Sequence, residues 1–203
     1  LDIDPGKATN RTVITFVGEP EAVCEAAFRL VKKAQELIDM RGHKGEHPRF
    51  GATDVCPLVP ISGVSMEECA AFARKLGERI GKELGIPVYL YEHAASEEKR
   101  RNLANNRSGE YEGLPKKLKD PAWKPDFGPA EFNDSVAKSG AIAVGARNFL
   151  VAYNVNLNTT DDSVAKEIAL TIRDSGRTLR DSSWKFVRDG QGNKVQGLFS
   201  SFS

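Results

Sequence analysis

The chain has 203 residues, 40% apolar and 28% charged, with a formal net charge of +1. That describes a soluble globular chain of one sizeable domain or two small ones. The near-neutral balance gives no global pull toward nucleic acid or a membrane surface, and no apolar run approaches the ~20 residues of a membrane span. The opening LDIDPGK has neither a secretory signal nor an initiator methionine, and it reads as the start of a fragment. Cys24, Cys56 and Cys69 are odd in number and sit in apolar patterns. They read as buried thiols in a reducing cytosol, not as a disulfide framework.

Leu1 to Asp4 reads as the end of a strand, with a turn at Pro5-Gly6. Arg11 to Val17, RTVITFV, is β-branched and apolar, a strand composition. Pro20 suits the first turn of a helix. Behind it Val23, Ala26, Ala27, Leu30, Val31, Ala34, Leu37 and Ile38 recur at helical spacing. Thr53 to Ile61 follows as a strand, confined by Pro57 and Pro60 to a sheet edge or a bulge. Ser65 and Glu68 form a capping box before a helix with Cys69, Phe72, Ala73, Leu76, Ile80 and Leu84 on one face, stopped by Gly85 and Pro87. Val88 to Tyr91 is a short strand, and Ala95 to Asn106 a charged, weakly amphipathic helix.

Gly109 to Gly140 changes character. It is rich in Pro, Gly, Lys and Asp and reads as a linker or binding loop, a length unusual unless functional. Its Lys116, Lys117 and Lys119, near Trp123, read as a solvated basic face. Asn148 to Leu157 is expected as a strong strand. A helix capped within residues 159–162 and ended by Gly176 follows, then weaker strands at Trp184–Val187 and Lys194–Phe199. This order predicts α+β layers, the second block loosely repeating the first.

The chemistry concentrates between Gly42 and Leu58, GHKGEHPRFGATDVCPL. Pro48 disfavours helical geometry at His47, and Gly45 and Gly51 permit turns. A stiff exposed loop that aims His47 and Arg49 is the result, and such loops are where chemistry tends to sit. His43, Glu46 and His47 match the spacing of inverted zinc proteases, but that motif needs a helix, which Gly45 and Pro48 oppose. His93 is the only other histidine. Acid–base work by an imidazole needs an orienting carboxylate, for which Asp4 and Asp54 are candidates. Arg49 could grip a substrate carboxylate with two prongs. The blander alternative, hydrogen bonds within a tight loop, stays open on these residues alone. There is no GxSxG, Walker loop or GxGxxG after a strand.

The run DMRGHKGEHPRFGATDVCPLVP closely resembles the formiminotransferase domain of glutamate formimidoyltransferases. DIDPGKATNRTVITFVGEPEAV, ELGIPVYLYEHAA, GEYEGLPKKL, PDFGPAEF and GARNFLVAYNVNL also match, in family order. The resemblance implies an α+β fold of two ferredoxin-like sandwich halves, the first without its opening strand and helix and the second incomplete. Residues 1–140 would be the N-terminal subdomain with a folate-binding linker, and 141–203 part of the C-terminal one. It implies transfer of the formimino group of N-formimino-L-glutamate to N5 of tetrahydrofolate, the co-substrate, in histidine degradation. The catalytic histidine would be His47, with Asp4 and Arg49 beside it. The folate-contacting segment would be Gly128, Pro129, Ala130, Glu131, Phe132, Asn133, Asp134, Ser135, Val136, Ala137, Lys138, Ser139 and Gly140, a few residues longer than usual. No metal, nucleic acid or membrane is implied. A cytoplasmic homodimer or larger assembly is. Two alternatives stand beside this: a glutamate formyltransferase using 5-formyltetrahydrofolate, and a non-catalytic folate-binding module.

Overall fold

The computed structural model describes residues 1–45, 47–151, 155 and 157–172. Two compact units divide it, Leu1–Leu150 and Val151–Ser203. The first opens on an antiparallel hairpin of β1 (Asp2–Gly6) and β2 (Arg11–Thr15), with Ile3 opposite Ile14 and Gly6 opposite Arg11. Pro5 is paired inside β1, so the turn falls after it and not at Pro5-Gly6. Helix α1 (Pro20–Leu37) begins on its proline as expected, where the missing N–H belongs to the first turn. It buries Ala27, Phe28 and Val31.

The organising element is a three-stranded parallel sheet, in the order β3 (Val55–Leu58), β5 (Ile142–Ala146), β4 (Val88–Glu92). Pro57 lies on the edge strand β3, where its missing donor costs the ladder least. Between β3 and β4 runs α2 (Met66–Arg79), which continues through a π-helical turn at Ile80–Leu84. Its capping box is formed: the Glu68 amide donates to the Ser65 hydroxyl at 3.2 Å, and the Ser65 amide to the Glu68 carboxylate at 2.8 Å. Such a cap stabilises by about 1 kcal/mol.

Strand β5 is buried at every residue. The pattern of the sequence gives Ile142–Ala146 no strand signal and predicts a strand at Asn148–Leu157 instead. Asn148–Val151, Val155 and Leu157 lie in no strand, and the rest of that stretch is outside the described residues. A central parallel strand carries no polar alternation, because both of its faces are covered. One face holds Ala27, Phe28, Val31, Cys69, Leu76 and Ile80 against Val88, Leu90, Ile142 and Val144. The other holds Phe50, Tyr89, Leu114, Leu118, Val136 and Ala141. The alternation of Val88, Tyr89 and Leu90 between these two clusters is the period of two of a strand. All three cysteines are free, Cys69 buried and the others half-buried, and burial raises each thiol.

The charged stretch after β4 is not one helix. It breaks at Asn102 into α3 (Glu98–Arg101) and α4 (Leu103–Arg107), because Asn102 is extended and caps Ala104 with its side chain. Residues 109–140 are not a bare linker either. They carry α5 (Glu110–Lys117), a 3₁₀ turn at Pro121–Trp123 and α6 (Asp134–Ser139). Lys116 and Lys119 are exposed, but Lys117 is buried. Its Nζ donates to the carbonyls of Asn105, Asn106 and Ser108 at 3.1, 2.5 and 3.0 Å and lies 4.5 Å from the Trp123 ring centroid. The solvated basic face is therefore corrected: one of its three lysines ties α4 to α5.

The second unit contains α7 (Asp162–Ile172), whose entry is held by Asp161 accepting from the Ser163 amide at 2.8 Å. The helix end at Gly176 and the strands expected at residues 184–187 and 194–199 lie outside the described residues. Among the described residues, no helix is long and apolar enough to cross a membrane. Helices and small sheets together make the mixed α+β content that the sequence predicts.

Candidate active site

His47 stands in the loop between α1 and β3, and that loop lies against the tip of the hairpin. Asn10 Nδ2 donates to the Lys44 carbonyl at 2.7 Å, and His43 Nε2 donates to the Asn10 carbonyl at 3.0 Å. Gly45 has no room for a side chain, since a Cβ there would lie 2.4 Å from the Thr9 carbonyl oxygen. Residues 43–45 and 47–50 are not helical. His43 and His47 therefore share no helix face, and the zinc-protease geometry does not form. His43 instead fastens the loop to the hairpin.

The other end of the loop is fixed by the segment that leads into β5. Gly51 bridges Gly140, and the Ala52 amide donates to the Ser139 carbonyl at 2.7 Å. Gly140 has φ +68°, and a Cβ on it would lie 2.5 Å from the Phe50 carbonyl oxygen. Only glycine meets both demands.

The imidazole of His47 is half-buried, and its neighbours assign its tautomer. Nδ1 lies 2.6 Å from the Pro48 carbonyl oxygen, which can only accept, so Nδ1 carries the proton. Arg11 Nη1 lies 2.7 Å from Nε2 and 3.4 Å from Nδ1, over the face of the ring, and in this tautomer Nε2 is the nitrogen with the lone pair. The basic atom of the site is therefore Nε2.

Behind the ring stands Arg107, at the end of α4. Its Nη2 donates to the same Pro48 carbonyl, lies 3.4 Å from His47 Nδ1 and pairs with Asp54 Oδ2 at 2.8 Å. The other Asp54 oxygen accepts the Phe50 amide at 2.9 Å. Burial raises the Asp54 carboxyl above its ordinary value, against the pull of Arg107 and smaller effects of the Phe50 amide, His47 and Arg11. Asp54 thus reaches the imidazole through a guanidinium and a backbone carbonyl.

Arg49 is not free to meet a ligand here. Its Nε donates to the His43 carbonyl at 3.1 Å, and its Nη2 pairs with Glu112 of α5. The Tyr111 amide donates to the Arg49 carbonyl at 2.9 Å, so α5 braces the loop through side chain and backbone. Asp4 faces Val13 in the hairpin, which puts it diagonal to Arg11 on one face. Among the described residues its carboxylate makes no hydrogen bond or ion pair with His47.

The segment from Gly128 to Gly140 meets the site at one end only. Gly128 lies against Ile86 and Gly81, beyond the start of β4. Pro129 and Ala130 are half-buried, while Glu131, Phe132, Asn133, Asp134 and Ser135 are exposed. Val136, Ser139 and Gly140 are buried, with Ala137 and Lys138 half-buried between them. Tyr111 connects this segment to the histidine loop. Its hydroxyl donates to the Ala137 carbonyl at 2.5 Å, and its ring lies 6.3 Å from that of Phe132.

Sequence reasoning passed over Arg11, Arg107, Glu112 and Tyr111. Arg11 is the polar head of an otherwise apolar strand run, a weak signal. The other three lie in stretches without clear periodicity; Tyr111 and Glu112 fall in the matching run GEYEGLPKKL, and Arg107 gave no signal.

The family model described as "Formiminotransferase domain, N-terminal subdomain" matches residues 1–147. The chain belongs to this family. It is 54% identical over 198 residues to the formimidoyltransferase-cyclodeaminase of Gallus gallus, covering 98% of this chain and 35% of that protein. It is 49% identical over 193 residues to the glutamate formimidoyltransferase of Thermoplasma acidophilum, covering 93% of this chain and 62% of that protein. The protein of that name from Streptococcus pyogenes is 49% identical over 176 residues, covering 87% and 58%. The chain thus spans about a third of the bifunctional relatives and about three fifths of the single-function ones.

Proposed function

We propose that this chain forms the catalytic part of a folate-dependent one-carbon transferase. It moves the formimino group of N-formimino-L-glutamate to N5 of tetrahydrofolate, giving 5-formiminotetrahydrofolate and L-glutamate. The pathway is histidine degradation, and the compartment is the cytoplasm. The observation that carries the reading is the His47 ring, held in one tautomer with Nε2 as its base on a loop braced from both sides.

His47 Nε2 takes the proton from the attacking amine as the new carbon–nitrogen bond forms. It returns that proton to the glutamate nitrogen as the old carbon–nitrogen bond breaks. One imidazole used in both directions contributes about 10²–10⁴-fold. The Pro48 carbonyl holds the Nδ1 proton and stabilises the transient imidazolium. Asp4, on the hairpin face that carries Arg11, adds negative charge on the side of that cation. Arg49 acts by holding the loop through Glu112. The exposed Phe132, paired with Tyr111 beside the loop, supports a folate-contacting role for Gly128 to Gly140, because an aromatic face suits a pterin ring. The two ferredoxin-like halves and a homodimeric or larger assembly come with the same reading, from the family resemblance.

The test follows 5-formiminotetrahydrofolate in a mixture of the full-length protein, tetrahydrofolate and formiminoglutamate. Turnover is expected, with a loss of about 10²–10⁴-fold in His47→Ala and no change on adding a chelator. Folate binding without turnover would replace the enzyme by a binding module. Turnover only with 5-formyltetrahydrofolate and glutamate would replace the donor.

A further inference from the structure

Helix α6 ends on the histidine loop. The last four carbonyls of a helix have no partner within it, and in α6 these belong to Val136, Ala137, Lys138 and Ser139. The first accepts from the Gly140 amide at 2.7 Å. The other three are satisfied from outside the helix. Ala137 accepts from the Tyr111 hydroxyl at 2.5 Å, Lys138 from the Met40 amide at 2.9 Å and Ser139 from the Ala52 amide at 2.7 Å. Met40 and Ala52 stand before and after His47 in one connection, between α1 and β3. The helix that closes the Gly128–Gly140 segment is therefore fixed to both arms of the loop that carries the imidazole.

Of these three donors only that of Tyr111 is a side chain, and Tyr111 grips both partners. Its amide donates to the Arg49 carbonyl at 2.9 Å, two residues beyond His47, while its hydroxyl holds α6. Its half-buried ring is tilted by 58° against Phe132, whose side chain opens to solvent. One residue thus spans the gap between the base and the segment proposed to hold the folate. A transfer between two substrates needs the acceptor nitrogen and the base in close register, and a misplacement of about 1 Å costs about 10²-fold. With the base on the loop and the acceptor on the segment, that register is a property of the joint between them.

We propose that Tyr111 is a positioning residue that sets the distance between the bound folate and His47 Nε2. This rests on the reading of His47 as the base and of Gly128 to Gly140 as the folate-contacting segment. Tyr111 touches neither reacting atom. It acts through α6 on the acceptor and through the Arg49 carbonyl on the base. Each substrate keeps its own contacts when the hydroxyl is removed, and only their relative placement is lost.

Tyr111→Phe removes the hydroxyl and keeps the ring and the amide. In full-length protein kcat should fall by about 10–10²-fold. The KM for tetrahydrofolate and that for formiminoglutamate should each stay within about twofold. Ser65→Ala is the comparison for a merely structural hydroxyl: it opens the cap of α2 and should lower the melting temperature with kcat unchanged. 5-Formyltetrahydrofolate without glutamate is the probe that needs no turnover. In protein with labelled histidine it should shift the His47 ring resonances of the wild type. Tyr111→Phe should bind it as tightly by calorimetry and show a smaller shift. An unchanged kcat in Tyr111→Phe, or an equal shift in the two proteins, overturns the positioning role and leaves the reaction standing. A raised KM for tetrahydrofolate at constant kcat also overturns it and makes Tyr111 a folate contact. A Tyr111-dependent shift in a wild type that transfers nothing keeps the link and removes the reaction. A probe that fails to bind the wild type overturns both.

Discussion

Asp54 and His47 meet only through Arg107: the carboxylate holds the guanidinium at 2.8 Å, and the guanidinium donates to the carbonyl that fixes the Nδ1 proton. The usual direct carboxylate–imidazole contact is replaced by a relay that a positive charge completes.

Breaking this relay should cost both stability and order. Neither side chain of the Arg107–Asp54 pair is more than 14% exposed. Removing one partner of such a pair leaves the other desolvated, at about 3 kcal/mol or somewhat less for the water that still reaches it. Urea unfolding of Arg107→Met and Asp54→Leu should each show that loss, and the double variant should recover part of it. Full additivity of the two losses would mean that the pair is not coupled.

The brace predicts a second coupling. Arg49→Ala and Glu112→Ala should each lower kcat/KM, with a non-additive double variant whose coupling is about 0.5–3 kcal/mol. If Arg49 gripped the substrate instead, Glu112→Ala would leave KM for the donor untouched while Arg49→Ala raised it. Steady-state kinetics on the three variants separates these outcomes.

Lys117 sets a pH dependence of stability. Burial pushes its ammonium down to about 8, below the roughly 10.4 of an unfolded lysine. Between those values the unfolded chain binds more protons than the folded one, so this residue's contribution grows as pH rises from about 8 to about 10.4. Unfolding free energy measured over that range should rise in the wild type relative to Lys117→Met. At pH 7 the same variant should be the less stable protein, since three carbonyls, that of Asn106 buried, lose their donor. Parallel pH profiles for the two proteins would remove this account.

Gly140→Ala tests the joint between the histidine loop and the segment before β5. The substitution forces a side chain into φ +68° and against the Phe50 carbonyl. The backbone strain alone is on the order of 1–3 kcal/mol. The melting temperature should fall, and activity should fall further than the melting temperature explains, because the clash lies three residues from His47. A variant as stable and active as the wild type would show that the joint is not needed.

The elements that the sequence made legible are those whose cause is local. The start of α1 at Pro20, the Ser65–Glu68 cap and the edge position of Pro57 each follow from a few neighbouring residues, and all three stand in the fold. The stripe of α1 was legible only in part: Ala27 and Val31 are buried, but so is Phe28, which lay outside it, and Leu37 is 75% exposed. The stiff loop at His47-Pro48-Arg49 was legible for the same reason, because proline and glycine restrict or free the backbone where they stand. Strand β5 was hidden, since a short alanine- and glycine-rich run covered on both faces shows neither a two-residue nor a helical period. The partners of His47 were hidden too. Arg11 and Arg107 lie 36 and 60 positions away and reach the ring from a hairpin and from the end of α4, which only folding brings together. By itself, the sequence determined where the imidazole is and how rigidly its backbone is held. Which nitrogen is basic, which cation lies over the ring and which cations are tied elsewhere were decided by tertiary structure, because a proton's position depends on groups in space and not on groups in order.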